Sequence, residues 1–227
     1  MNYVIPTPQQ AVLTVDGSDG LYPVRRIYCV GRNYAEHIRE MGNDERDPPF
    51  FFQKPTDAVL PNGENFPYPP LSSDVHHEIE LIVAIGKGGK DIEKADALDH
   101  VFGYAVGVDM TRRDLQAQAK EMRRPWEYGK AFDKSAPCSS LKAVSDIGHP
   151  GEGRIWLAIN GETKQDGDLA QQIWNVQETI WHLSKSVELA PGDLIMTGTP
   201  SGVGPISRGD HITGGADGIG ELDFKVV

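Results

Sequence analysis

The stretch His76-His77-Glu78-Ile79-Glu80-Leu81-Ile82-Val83-Ala84-Ile85, closed by Gly86, decides the fold. Read with the two-residue period of a strand, Glu78 and Glu80 share one face, which continues as Ile82 and Ala84. The other face reads His77, Ile79, Leu81, Val83, Ile85. A strand apolar on both faces is buried, so the two carboxylates point into protein rather than water. Two like charges in low dielectric need a bound cation, a proton or arginine partners. An exposed strand end with two solvated glutamates is the plainer alternative.

A second apolar run, Tyr104-Ala105-Val106-Gly107-Val108, ends abruptly in Asp109. A carboxylate at the end of a buried strand is poorly placed for solvation and well placed for a ligand. Glu78, Glu80 and Asp109 together form an all-oxygen donor set, which suits Mg²⁺, Mn²⁺ or Ca²⁺. The zinc signature H-E-x-x-H begins at His77-Glu78, but Leu81 stands where its second histidine belongs.

Outward from these strands the chain gives further signals. Apolar runs around Asp16-Gly17 and Asp19-Gly20 predict an N-terminal β-hairpin within residues 1–25. Arg26–Val30 reads as a strand, and residues 33–42 as a two-turn helix with Asn33 as N-cap. On that helix His37 and Glu40 share a face: a general base with its orienting carboxylate, or a surface ion pair. Residues 31–48 have the make-up of a lid. Phe50–Lys54 reads as a buried strand ending in a cation, and residues 61–70 as a Pro-rich connector. Ile92–His100 is predicted helical. Thr111-Arg112-Arg113-Asp114 has capping-box spacing, opening a helix to about Arg123 with Arg113, Gln116 and Lys120 on one side. Lys130, among aromatic residues, needs a carboxylate partner or a substrate oxyanion. Ile155–Ile159 with Asn160-Gly161 is half of a hairpin whose partner strand is not evident, and Val176–Val187 is an amphipathic helix. The strand Leu194–Met196 empties into Thr197-Gly198-Thr199-Pro200, which is either an anion nest or a plain turn.

With 227 residues the chain has room for one large domain. The 39% hydrophobic and 24% charged content is ordinary for a globular protein. A net charge of −11 excludes a nucleic-acid or anionic-membrane partner, though not a small anion at a metal. Cys29 and Cys138 form no C-x-x-C and are expected as reduced, buried thiols. The N-terminus lacks a basic and an apolar leader segment, so the expected location is cytoplasmic. No phosphate loop and no serine-hydrolase elbow occurs.

The runs GRNYAEHIREMG (31–42), FFFQKP (50–55), HHEIELIVAIGK (76–87), GYAVGVDMTRRDLQ (103–116), PWEYGKAFDKSAPCS (125–139), NGE (160–162) and GDLIMTGTPSGVGP (192–205) follow one another in order. Together they resemble the fumarylacetoacetate hydrolase superfamily, in its single-domain acylpyruvate-hydrolysing branch. The run 123–137 is most similar to the bacterial group acting on fumarylpyruvate in gentisate catabolism. The resemblance implies an α+β, mostly β fold, a mixed β-sandwich roll with peripheral helices, over residues 1–227 as one catalytic domain, and a homodimer. It implies Mg²⁺ or Mn²⁺ on Glu78, Glu80 and Asp109, a His37–Glu40 dyad on the lid, and Lys130 as active-site lysine. Gln116 and Thr199 match positions binding the pyruvoyl end of a diketo acid. Further substrate contacts are expected from Arg32, Lys54, Arg113 and Gly198, with Arg123 or Arg124 favoured for a far carboxylate. The same metal site suits an oxaloacetate decarboxylase or a 2-hydroxyhepta-2,4-diene-1,7-dioate isomerase, and a non-catalytic metal-bound binding protein is the remaining alternative.

Overall fold

The computed structural model describes residues 2–34 and 47–227. Its centre is the strand Ile79–Ile85, buried at every position. It pairs antiparallel with Val101–Val108 on one side and with Asp193–Met196 on the other. Asp193–Met196 runs parallel to Arg26–Gly31, and Phe50–Lys54 closes that edge. Beyond Val101–Val108 come Ala136–Cys138 and Val59–Pro61, so the mixed sheet curls into a half-barrel. A second, antiparallel sheet has the order Glu162–Asp168, Arg154–Ile159, His211–Ala216, Gly220–Lys225. The protein is mostly β, with helices outside.

The alternation in Ile79–Ile85 sorts its side chains into two cores. Ile79, Leu81, Val83 and Ile85 pack with Ile155, Leu157 and Phe224 of the second sheet and with Ile180 and Leu183 of the helix Val176–Ser186. Ile82 and Ala84 face the opposite way, against Cys29, Met196, and Leu13 and Tyr22 of the N-terminal hairpin Val12–Thr14 with Leu21–Pro23. Each fully buried side chain contributes about 1.5–3 kcal/mol, so this strand is held from both faces. Both cysteines are buried free thiols. Among the described residues no helix is long and apolar enough to cross a membrane.

Several elements depart from the sequence expectations. Phe50–Lys54 is an edge strand with Phe50 exposed, not a buried one; only Lys54 at its end is buried. The segment before His100 is a 3₁₀ helix, Lys94–His100. Thr111 is not a cap: Thr111–Arg112 pairs with Val75–His76, and the helix spans Arg113–Glu121. Asp114 instead accepts bonds from Ser72 and the Ser73 N–H, tying the helix start to the connector. The missing hairpin partner is Glu162–Asp168, a strand with one buried residue, Gln165. Asn33 reaches across the fold: its amide donates to Trp174 O and Thr197 O, and its oxygen accepts from the Trp174 N–H. The rest of the expected lid helix, with His37, Arg39 and Glu40, lies outside the described residues.

Candidate active site and metal centre

The backbone brings the three carboxylates together before any side chain acts. Glu78 interrupts the strand just ahead of Ile79, and Asp109 follows Val108, its register partner's end. The Asp109 N–H donates to Glu78 O at 2.8 Å, fixing the two carboxylates side by side. Glu80 lies opposite Gly107. A Cβ at Gly107 would sit 2.4 Å from Ile82 Cδ1 and 3.0 Å from Pro137 O, so the ladder here needs glycine. All three carboxylates are buried, and one oxygen from each lies within 4.8 Å of the others.

Cations surround them unevenly. Lys130 Nζ donates to Glu78 Oε2 at 2.8 Å and to Asp109 Oδ2 at 2.6 Å. Arg113 pairs with Glu78 Oε1, and Lys54 Nζ stands 2.9 Å from Asp109 Oδ1, which has no hydrogen bond among the described residues. Among the described residues Glu80 receives only the Gly198 N–H, at 2.7 Å. Burial alone would push Glu78 up, yet Lys130 and Arg113 hold it well below the usual carboxylate range. Burial pushes Glu80 well above that range, and Asp109 and Glu78 push the same way. For Lys130, burial works against the ammonium, but Asp109 and Glu78 outweigh it and its pKa is raised.

The donor set among the described residues fits a hard divalent cation: three convergent carboxylates, no sulfur or imidazole, and an Asp109 oxygen without a hydrogen bond. Three carboxylates against Lys54, Lys130 and Arg113 leave the centre formally neutral. A divalent ion would make it positive and attractive to an anion.

The centre forms the floor of a cavity of about 430 Å³. Arg113, Gln116 and Lys120 line it from one helix face, Arg32 with Phe50, Phe52 and Trp126 from another side, and Thr199 with Gly202 from the loop. Lys130 rests against Phe52, 5.1 Å from the ring centroid. Of the expected substrate contacts, Arg32, Arg113, Gln116 and Thr199 line the cavity. Lys54 does not: it is buried beneath it, held by Met110 O, Lys130 O and Ser135, so it steadies Asp109. Gly198 does not line the cavity either, its N–H being spent on Glu80. Neither Arg123 nor Arg124 lines the cavity; Arg124 lies on a separate groove with Leu115 and Met122.

Gln165 escaped the sequence reading. Its Oε1 accepts from the Ile79 N–H (3.0 Å) and lies 2.9 Å from His77 Nδ1; its Nε2 donates to Thr199 Oγ1 (2.8 Å) and Pro200 O (3.0 Å). It stitches the metal strand to the Thr199 loop. A lone glutamine in a polar strand gives no signal.

The family described as fumarylacetoacetate (FAA) hydrolase, C-terminal, matches residues 26–227. The chain belongs to the fumarylacetoacetate hydrolase family. Within it, a solved structure of fumarylpyruvate hydrolase from Pseudomonas aeruginosa in complex with Mn²⁺ and pyruvate is 54% identical, with a TM-score of 0.97. That comparison covers 100% of this chain and 99% of the other. The mouse protein named oxaloacetate tautomerase FAHD1, mitochondrial, is 43% identical over 89% of this chain and 91% of its own. A Dictyostelium discoideum protein named oxaloacetate decarboxylase, mitochondrial, is 42% identical over 89% of this chain and 94% of its own. The α+β, mostly β roll is therefore the family's fold, and the carboxylate triad sits in a family of metal-dependent hydrolases and isomerases.

Proposed function

We propose that this chain is a Mg²⁺- or Mn²⁺-dependent hydrolase that cleaves fumarylpyruvate, a 2,4-diketo acid, into fumarate and pyruvate in gentisate catabolism. The carrying observation is that one cavity holds the oxygen triad, Lys130, and cations beyond those the triad neutralises. The 54% identity to a fumarylpyruvate hydrolase supports the same substrate. A homodimeric assembly and a cytoplasmic location belong to the same proposal.

When bound, the metal supplies Lewis acidity toward the substrate's carboxylate and 2-oxo oxygens. Gln116 and Thr199, which both line the cavity, orient that pyruvoyl end. His37, oriented by Glu40, takes a proton from a water directed at the 4-carbonyl carbon. Lys130 donates to the oxyanion that develops there, an interaction of the kind that contributes most in acyl transfer. The C3–C4 bond then breaks, its electron pair passes to C3, and the proton held by His37 completes pyruvate. Asp109 and Glu78, outweighing the cost of burial, keep Lys130 an ammonium, the form this donation needs.

The second reading, oxaloacetate tautomerisation or decarboxylation, is favoured by the 43% and 42% identities. Metal-stripped protein restored with Mg²⁺ or Mn²⁺ and given fumarylpyruvate, acetylpyruvate and oxaloacetate separates the two. The hydrolase reading expects fumarate and pyruvate in equal amounts, with the highest kcat/KM on fumarylpyruvate. Turnover of oxaloacetate without fumarate formation from fumarylpyruvate would establish the second.

A further inference from the structure

We infer that Lys120, seated on Trp126, reads the second carboxylate of a dicarboxylic acylpyruvate and so sets the acyl-group preference. The inference rests on the hydrolase reading and names the substrate class within it.

Four cations line the cavity, Lys130, Arg113, Arg32 and Lys120, with Arg32 lying over the Phe50 ring. Lys130 and Arg113 are committed to Glu78 and Asp109. Lys120 also lines the cavity but has no carboxylate within ion-pair distance among the described residues. Its recorded contact is a ring: Nζ lies 5.0 Å from the Trp126 centroid. Trp126 is itself fixed, edge-on to Phe50 at 5.3 Å and against Phe52 at 6.1 Å. An ammonium held on a clamped indole costs little rotamer entropy to present, and its charge stays available to an anion.

The helix Arg113–Glu121 acts as a ruler. Arg113 touches Glu78 at the metal end, and Gln116 and Lys120 follow on the same face. At 1.5 Å rise per residue Lys120 stands about 10 Å further along the axis. A seven-carbon diketo diacid, with bonds of about 1.5 Å, spans roughly 7–8 Å between its carboxyl carbons when extended. A carboxyl bound at the metal end thus leaves its far partner within reach of the lysine. Lys120 is exposed at the cavity's rim, and desolvation with Arg113 and Arg32 near by lowers its pKa. The arginines expected from sequence for this task, Arg123 and Arg124, do not face the cavity.

The test compares kcat/KM on fumarylpyruvate with that on acetylpyruvate, which has no far carboxylate, for wild type, Lys120→Met and Lys120→Arg. Lys120→Met should lower the fumarylpyruvate-to-acetylpyruvate ratio by roughly 10–100-fold, the loss of one charged hydrogen bond. Lys120→Arg should restore most of the ratio. An unchanged ratio in Lys120→Met overturns the inference and leaves the hydrolase reading standing. Wild-type protein that hydrolyses neither acylpyruvate overturns both, and the wild-type arm alone shows it.

Discussion

Lys130 Nζ lies 2.6 Å from Asp109 Oδ2, so the cation expected to stabilise the oxyanion is held by a residue of the metal triad. Catalyst and ligand shell are one hydrogen-bonded unit, reached from two different chain segments.

The first expectation follows from that contact. Lys130→Met should lower kcat by about 10²–10³, as loss of one oxyanion donor does. Metal affinity should persist, because the variant removes a cation that shares Glu78 and Asp109 with the ion. Lys130→Arg should not rescue turnover, since a planar fork does not fit a point-charge site. Calorimetry with Mn²⁺ beside steady-state assays checks both halves; lost affinity with retained kcat would reverse the assignment.

The triad carries the second. Glu78→Ala, Glu80→Ala and Asp109→Ala should each abolish metal-dependent turnover and weaken Mn²⁺ binding. If all three variants kept wild-type affinity, the metal would have to lie elsewhere.

The third concerns pH and the metal-free protein. Burial, with Asp109 and Glu78 beside it, holds the Glu80 carboxyl in the folded protein well above the usual carboxylate range. Its contribution to stability is therefore complete below the unfolded value and is lost as pH rises through the folded one. Glu78 titrates with the opposite sign, its contribution vanishing as pH falls. Metal-free Glu80→Gln, neutral throughout, should melt above metal-free wild type at pH 8, the gap closing towards pH 4. Thermal melts in chelator across that range decide it; a gap that widens on acidification would refute it.

Gln165 supplies the fourth. Gln165→Leu leaves the buried Ile79 N–H and Pro200 O without their partner. At about 1–3 kcal/mol for each of the two stranded groups, a loss of roughly 2–6 kcal/mol is expected. Denaturant titration measures it, and a change below about 0.5 kcal/mol, within the range of surface substitutions, would mean the network is dispensable.

The buried strand, its two faces and the triad were legible because burial imposes period and because a carboxylate inside an apolar run is conspicuous. Phe50–Lys54 misled because aromatic content signals burial, whereas here Phe50 and Phe52 serve the cavity wall and the clamp on Trp126. Thr111 matched a capping box by spacing alone, but pairing with Val75–His76 took that backbone first. Asn33 reads locally as a cap candidate, and no local signal announces its partners Trp174 and Thr197, which lie far along the chain. Gln165 could not be found, since nothing local tells a glutamine that crosses sheets from a solvated one; spacing places Lys120 beside Arg113 and Gln116, but the ring beneath it gives no local sign.

The Gln165 stitch also fixes the sense of a hydroxyl. The Ile79 N–H can only donate and Pro200 O can only accept, so the orientation of the amide between them is settled without ambiguity. Its nitrogen therefore donates to Thr199 Oγ1, claiming an oxygen lone pair. The hydroxyl proton is left pointing elsewhere, and Thr199 borders the cavity. One side of the Thr199 oxygen is thus occupied and its proton is left free for an acceptor, an arrangement imposed on the loop beside the metal strand by a residue in the opposite sheet.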